Sequence, residues 1–533
     1  MARKLSPPSP FWGAREGHTM NWGTIRSAGT LGELIVNSIE RYPERTAFIQ
    51  DERSITYRAL GAQIAQAIGL FRQRGLQPGD AVAQLSGNRP EVFTIIAAAY
   101  IFGLRSVTLH ATAGLSDHVH VLADCSPKLF VGEKYHTERV SDLRAQSPQI
   151  PHWYSHDEDD AVPGFWQEAS QCAIEPLAAR TSCEDIIRLA YTGGTTGRAK
   201  GVMLSDRTLM TNTMAWLAGI PLPDGVRYLC PAPISHGAGS LMFPTLARGG
   251  CAILLRGFNV ENFVDAAQKH QAELTWLVPT MIYDLLDKAK HRARDLASLR
   301  ALVYSGAPAA PARLREALDM LGPVLIQSYG QTEAPNTVLM LNQSDHISGD
   351  DKRLSSAGRP YPGVQVALLG DDGQPVAAGE AGEICVRGPL VMSGYWQQPE
   401  QTAETLKGDW LHTGDVGYRD SEGYYFIVDR KKDMIISGGF NVYPREIEDV
   451  LTQHPDVAAA AVYGIPDPKW GEAVTACVRL HAGAKVSTAD LIALVRQHKG
   501  PVHAPKSLAF VDQIPLTPLG KPDKRALRQA HMR

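Results

Sequence analysis

Residues 189–204 read Leu-Ala-Tyr-Thr-Gly-Gly-Thr-Thr-Gly-Arg-Ala-Lys-Gly-Val-Met-Leu, and the reading of this stretch organises the whole chain. Gly193, Gly194 and Gly197 are interleaved with the hydroxyls of Thr192, Thr195 and Thr196, and Lys200 and Gly201 follow. Glycine lets backbone N–H groups approach a ligand closely and converge on one anion, while hydroxyls and a lysine add donors and charge. A polyphosphate needs such a cradle. The stretch is not the Walker loop, which requires Gly-Lys followed at once by Ser or Thr. Taken alone, it reads equally as a flexible Gly/Thr surface turn.

The flanks narrow the choice. Residues 185–191 form an apolar strand pattern and 205–217 a helical one, so the expected context is strand, anion loop, helix. Upstream, residues 59–74 carry apolar side chains at helical spacing, closed by Gly75, and 81–85 read as a short strand. Pro90 opens a second helix through 102, and strands are expected at 106–109 and 128–131. Alternation of this kind implies parallel sheets covered by helices. Residues 141–180 read as polar and irregular, with an acidic solvated loop at 157–160. Further strands at 251–255, 274–278, 301–304 and 324–328 end in two loops, Ser305-Gly306-Ala307-Pro308 and Tyr329-Gly330-Gln331-Thr332-Glu333-Ala334. Ligands bind at such strand ends in open α/β sheets.

Beyond about residue 345 the texture changes to short alternating strands (364–369, 383–386, 424–428) separated by Gly/Asp turns, the pattern of an antiparallel sheet or small barrel. A basic patch, Asp429-Arg430-Lys431-Lys432-Asp433, leads into a compact α+β unit with a helix at 444–451 and a strand at 457–462. The expected architecture is α/β: a large N-terminal domain, 1–430, and a small α+β C-terminal domain, 431–533. Within the first, 1–25 read as an extension, 26–180 and 181–344 as two helix-covered sheets, and 345–430 as the barrel.

With 533 residues, 44% apolar and 20% charged, the composition is that of a globular protein of several structural units. A formal net charge of −3 gives no electrostatic case for nucleic acid or an anionic membrane. The seven cysteines are scattered with no C-x-x-C pair, which argues against a disulfide framework or structural zinc and fits a reducing, cytoplasmic compartment. Prolines at 7, 8 and 10 interrupt any signal-peptide core. The longest apolar run, 92–104, is too short to span a bilayer and reads as a buried helix, so no transmembrane segment is expected.

Together these segments resemble the adenylate-forming superfamily, in its AMP-forming acyl-CoA synthetase branch. The glycine-rich loop is similar to that family's Y-T-S-G-T-T-G-x-P-K-G signature, with Gly193 for Ser and Ala199 for Pro. Tyr329 to Glu333 matches Y-G-x-T-E, Trp410-Leu411-His412-Thr413-Gly414-Asp415 matches W-x-x-T-G-D, and the patch at 429–435 matches the hinge. Ser437-Gly438-Gly439 and Pro518-Leu519-Gly520-Lys521 complete a series that keeps its order over about residues 30–530.

The resemblance implies that a carboxylate attacks the α-phosphate of ATP, giving an acyl-adenylate and pyrophosphate, after which coenzyme A displaces AMP. It implies Mg²⁺ at Glu333, with Thr332 donating to the α-phosphate and Lys521 acting as a mobile catalytic lysine. ATP or AMP would meet the loop from Thr192 through Lys200, the 306–308 turn, Ser328, Tyr329 stacked on adenine, Gly330 and Gln331. Asp415 would accept the ribose hydroxyls, and Arg430 would contact ribose or phosphate. The family's small C-terminal domain is mobile, with Lys432 at the pivot and Gly438 and Gly439 walling a pantetheine tunnel. Pro233-Ile234-Ser235-His236-Gly237-Ala238-Gly239 matches the segment beside the acyl pocket, with His236 as an aromatic gate. Ala238, Gly239, Ser305, Pro335 and Asn336 are further pocket candidates. The segment lacks the aspartate that holds an ammonium group, which argues against an amino acid and leaves an aromatic or medium-chain acid. A carrier-protein acceptor, a non-catalytic nucleotide-binding relative and a homodimer stay open.

Overall fold

The computed structural model describes residues 29–111, 113–157, 162–192, 199–348, 350–430, 433–437, 440–468, 470–481, 483–516 and 522–531, apart from the side chains of Arg430 and Asn441. Two large sheets form the body. The seven-stranded sheet runs in the order Gly394–Tyr395, Lys200–Ser205, Ile186–Thr192, Arg105–Thr108, Ala81–Leu85, Leu129–Gly132, His152–Ser155. In the nine-stranded sheet the order is Arg359–Pro360, Ala334–Leu341, Leu325–Gln331, Ala301–Tyr304, Leu274–Leu277, Arg227–Cys230, Cys251–Leu254, Thr46–Gln50, Arg53–Thr56. Inner strands pair in parallel, as at Leu302↔Leu325 and Val82↔Leu129, and both sheets carry antiparallel edges.

The helix Pro90–Phe102 is buried along its whole length. With apolar residues on every side it has no face to offer water, and it is the buried helix the sequence predicts. Gly103, at φ 91°, closes it in the left-handed conformation that glycine adopts without strain. At its start Arg89 bonds Glu91 at 3.0 Å and Asp157 at 2.9 Å. Asn88 bolts the two sheets together: its Nδ2 donates to the carbonyls of Ala232 (2.8 Å) and Leu255 (3.0 Å), and its Oδ1 accepts from Ile234 N–H (2.8 Å). That bolt fixes the 233–239 segment.

Three expectations are corrected. Residues 141–180 are not irregular: they hold the end of the helix Thr137–Gln146, the strand His152–Ser155 and the helix Phe165–Ala169. Trp153, Tyr154 and Phe165 supply the apolar anchors there, too sparse to show a period. The glycine-rich loop is not followed directly by a helix. Lys200–Ser205 turns back antiparallel on Ile186–Thr192, pairing Thr192 with Lys200, and the helix Asp206–Gly219 starts only after it. Finally, the sheets are not contiguous in sequence: 46–56 cross to the nine-stranded sheet and 186–205 to the seven-stranded one, so a division at 180 does not coincide with them.

Beyond residue 345 lies the expected small antiparallel unit, five strands in which Trp410–Arg419 pairs with Gly382–Arg387, Leu406–Lys407 and Tyr425–Arg430. The C-terminal α+β unit has its own sheet, centred on the long pair Val457–Asp467 and Gly471–Leu480, with the helices Pro444–Thr452 and Thr488–Lys499 packed on it. No helix among the described residues is long and apolar enough to cross a membrane.

Candidate active site

The tip of the strand pair 325–341, the strand Gly394–Tyr395 and the turn before Asp415 converge on one cleft, and the neck of the glycine-rich hairpin meets Tyr395 beside it. Of the hairpin, Thr192 and Lys200 are described and half-buried at its neck; Gly193, Gly194, Thr195, Thr196 and Gly197 lie outside the described residues. Gly201 is closely packed: a Cβ would fall 3.0 Å from the Tyr191 ring and 3.2 Å from Trp396, so a side chain there would push its neighbours back. That close approach lets Gly394–Tyr395 add to the sheet beside Val202 and Met203, with Trp396 N–H donating to Gly201 O at 2.7 Å. Tyr395 is thereby carried under Lys200, whose Nζ sits 5.1 Å from the centre of its ring, a cation–π distance. The Tyr395 hydroxyl donates to Glu333 Oε1 at 2.8 Å. Burial and the Glu333 carboxylate hold its own proton on, well above the usual tyrosine range.

Glu333 and Thr332 form the tip of a hairpin rather than an open strand-end loop: Leu325–Gln331 pairs antiparallel with Ala334–Leu341, closing at Gln331↔Ala334. Gly330 is required there, since a Cβ would lie 2.5 Å from Asn336 N. Ser328 is buried, its hydroxyl donating to Asn336 O at 2.5 Å and pairing with Tyr361 Oη at 3.2 Å. It braces the hairpin. Tyr329 reaches the other way, donating from its hydroxyl to Asp415 Oδ2 at 2.6 Å. Gly306 (φ 87°), Ala307 and Pro308 follow the neighbouring parallel strand Ala301–Tyr304 and are exposed or half-exposed.

Asp415 is 6% exposed, and its backbone pairs with that of Arg430 across the small sheet. The turn before it is pinned by Glu383, whose Oε1 accepts from Gly414 N–H at 3.0 Å and whose Oε2 lies 3.1 Å from His412 Nδ1. Thr413 donates to Ile384 O at 2.6 Å. Glu383, His412, Thr413 and Gly414, together with Gln331, Glu333 and Tyr395, line an open cleft of about 400 Å³.

Around the 233–239 segment, His236 is half-buried and packs against His110, ring centres 4.5 Å apart at an angle of 74°. Burial, then the neighbouring His110 and Arg188, push its pKa down to about 3, so the ring is neutral. Ser235 Oγ pairs with its Nδ1 at 2.7 Å, and Arg188 donates to Ser235 O at 2.6 Å. A neutral, packed imidazole suits a wall better than a proton carrier. Ala238 and Ser305 are buried. Gly239 is turned inward, where a Cβ would strike Ile234 O. Pro335 O accepts from Asn212 Nδ2 at 2.7 Å, and Asn336, at φ 49°, donates from Nδ2 to Ser240 Oγ at 3.0 Å and Gly237 O at 3.3 Å.

Lys432, Gly438, Gly439 and Lys521 lie outside the described residues, as does the side chain of Arg430. Sequence reasoning missed Tyr395, Glu383 and Trp276. Tyr395 carries a weak signal, an aromatic pair after Gly394; Glu383 and Trp276 sit inside ordinary strand patterns and carry none.

A parallel double-sheet body, an antiparallel unit bearing a buried aspartate, and a tyrosine joining the neck of a glycine-rich hairpin to a Thr-Glu tip define the architecture of an adenylate-forming enzyme. The AMP-binding enzyme family model matches residues 35–396, and that of the AMP-binding enzyme C-terminal domain matches 446–521. The chain belongs to the AMP-binding enzyme family, within the adenylate-forming superfamily. It is 41% identical to a medium/long-chain-fatty-acid–CoA ligase of Mycobacterium tuberculosis, over 97% of this chain and 92% of that one. It is 36% identical to a feruloyl-CoA synthase of an Amycolatopsis species, over 95% and 99%. Among solved structures, an amide bond synthetase from Marinactinospora thermotolerans superposes with a TM-score of 0.88 at 35% identity, over 94% of this chain and 99% of that one.

Proposed function

We propose that the protein is an ATP-dependent carboxylic acid–CoA ligase, which forms an acyl-adenylate and passes the acyl group to coenzyme A with release of AMP and pyrophosphate. The observation that carries this reading is a pair of contacts in a chain of this family: Tyr395, on the cleft, joins Lys200 to Glu333, and Tyr329, three residues before the Thr-Glu tip, holds Asp415. A cation, a hard carboxylate and a ribose-binding carboxylate are the groups a nucleoside triphosphate needs.

In this reading Asp415 accepts the ribose hydroxyls, with Tyr329 orienting its carboxylate and the 306–308 turn lining the adenine. Lys200 neutralises the departing pyrophosphate together with the loop 192–197. Thr332 donates to the α-phosphate, and Lys521 meets the charge that develops as the acid attacks, stabilising the transition state more than the ground state. Glu333 fits Mg²⁺: it is an oxygen ligand on a polar cleft and one of its oxygens is oriented by Tyr395, the single hard donor that suits an ion of this kind. Bound there, Mg²⁺ would offset phosphate charge. His236 walls the acyl site with Ala238, Gly239, Ser305, Pro335 and Asn336. The C-terminal domain turns about Lys432 between half-reactions, bringing Gly438 and Gly439 to the pantetheine arm. All seven cysteines are free, in keeping with a cytoplasmic enzyme.

The test is stoichiometric. With ATP, Mg²⁺ and a panel of aromatic, short, medium and long acids, AMP and acyl-CoA should appear one to one in the presence of coenzyme A. Acylation of a carrier protein or an amine with coenzyme A inert would overturn the acceptor assignment, and absence of AMP with every acid would overturn the reaction.

A further inference from the structure

The acyl-pocket region holds one donor that the described residues leave without a partner. Trp276 lies on the central strand Leu274–Leu277, in register with Val303, two residues before Ser305. It is 93% buried by virtue of a relative exposure of 7%, and its Nε1 is closed to solvent and has no hydrogen-bond partner. The other buried indoles are satisfied: Trp153 donates to Ile150 O at 3.1 Å, and Trp216 to Ser240 Oγ at 3.1 Å. Buried polar groups are paired as a rule, and an exception calls for an explanation, a functional role among them.

The position of Trp276 says what that partner is. A Cβ on Gly237 would lie 3.0 Å from Trp276 Cζ2 and 3.6 Å from Asn336 Nδ2, so the indole edge, the 236–237 turn and Asn336 face one another. Nearby acceptors are spoken for. Ser240 Oγ donates to Gly237 O at 2.7 Å and accepts from both Trp216 and Asn336. The His236 Nδ1 is taken by Ser235 Oγ. Because Nε1 is closed to solvent, bulk water does not reach it, and an acceptor arrives only with a group that opens the pocket on entry.

Resting on the ligase reading above, we propose that the Trp276 indole N–H is a specificity-determining donor in the acyl pocket, selecting carboxylic acids that carry an oxygen acceptor away from the carboxylate over hydrocarbon acids of the same shape. Acids with a ring methoxy, hydroxyl or carbonyl group, or an oxygen within the chain, meet this requirement. A plain alkyl or aryl acid leaves the N–H unpaired in the bound state.

The experiment compares matched acids, methoxy- against ethyl-substituted benzoates and cinnamates at each ring position and an oxygen-interrupted against an all-carbon chain, by kcat/KM for acid-dependent AMP release. Wild-type enzyme should favour the oxygen-bearing member of at least one pair by about tenfold, the scale of one net hydrogen bond. Trp276→Phe, which keeps an aromatic ring and deletes the donor, should remove that preference by lowering kcat/KM for the oxygen-bearing acid alone. Equal kcat/KM within every pair for the wild type overturns the proposal without reference to any variant. A preference that survives in Trp276→Phe overturns it as well. No AMP from any acid instead refutes the ligase reading on which it rests.

Discussion

The hydroxyl of Tyr329 donates to Oδ2 of Asp415 at 2.6 Å, joining the strand before the Thr-Glu tip to the small antiparallel unit. On the proposed reading, this bond orients the carboxylate that would accept the ribose hydroxyls. A hydrogen bond to a charged group contributes roughly 1.5–3 kcal/mol. Tyr329→Phe, which keeps the ring and deletes the hydroxyl, should raise KM for ATP by about tenfold or more while leaving KM for the acid unchanged. Steady-state kinetics with each substrate varied in turn check this; an unaltered KM for ATP would contradict it.

Tyr395 serves two neighbours with two different parts. Its hydroxyl orients Glu333 and its ring lies under Lys200. Tyr395→Phe should shift the Mg²⁺ titration of adenylation several-fold toward higher concentration with the Lys200 contact intact. Tyr395→Leu, which removes both interactions, should lower the rate further, by on the order of tenfold beyond the Phe variant. Identical behaviour of the two variants would show that the ring contact contributes nothing.

Much of this was legible in the sequence. Helices with clear start and stop signals, such as Pro90–Phe102, appear where expected, because a proline start and a glycine stop fix both ends. The hairpin Lys200–Ser205 was not legible: Val202, Met203 and Leu204 also continue the helical pattern that starts at Ser205, and only long-range pairing with 186–192 and 394–395 settles them as strand. Tyr395, Trp276 and Glu383 were missed for the same reason. Their roles come from partners 62, at least 39 and 29 positions away in the chain: Glu333, Gly237 and His412.

Asp206 gives a pH test. It is fully buried at the first turn of the helix Asp206–Gly219, accepting from Leu31 N–H at 2.9 Å, and burial raises its pKa to about 7. A carboxyl whose folded pKa lies above its unfolded value near 3.8 adds stability that is full below about pH 4 and lost as pH rises through about 7. Asp206→Asn keeps an acceptor for Leu31 and removes the charge. It should be more stable than wild type at pH 8.5, by on the order of 2 kcal/mol, with the difference shrinking toward pH 5. Thermal melts across pH 5–9 check the slope; a constant difference would contradict it.

Asp429 caps a helix from outside it. Tyr443, the N-cap residue of Pro444–Thr452, makes no side-chain cap bond, and Asp429 Oδ2 accepts the Arg445 N–H at 2.9 Å in its place. Loss of a cap costs about 1 kcal/mol. Asp429→Ala should therefore speed amide exchange about fivefold in the first turn of that helix, with the nine-stranded sheet unaffected; uniform change across the chain would refute a local cap.

The central claim is that this cleft forms an acyl-adenylate. It is tested most directly by acid-dependent exchange of labelled pyrophosphate into ATP with coenzyme A omitted. The account predicts exchange that requires both Mg²⁺ and an accepted acid, and that falls by at least tenfold in Glu333→Gln. An acid that yields acyl-CoA while supporting no exchange, or exchange indifferent to Glu333→Gln, would contradict it.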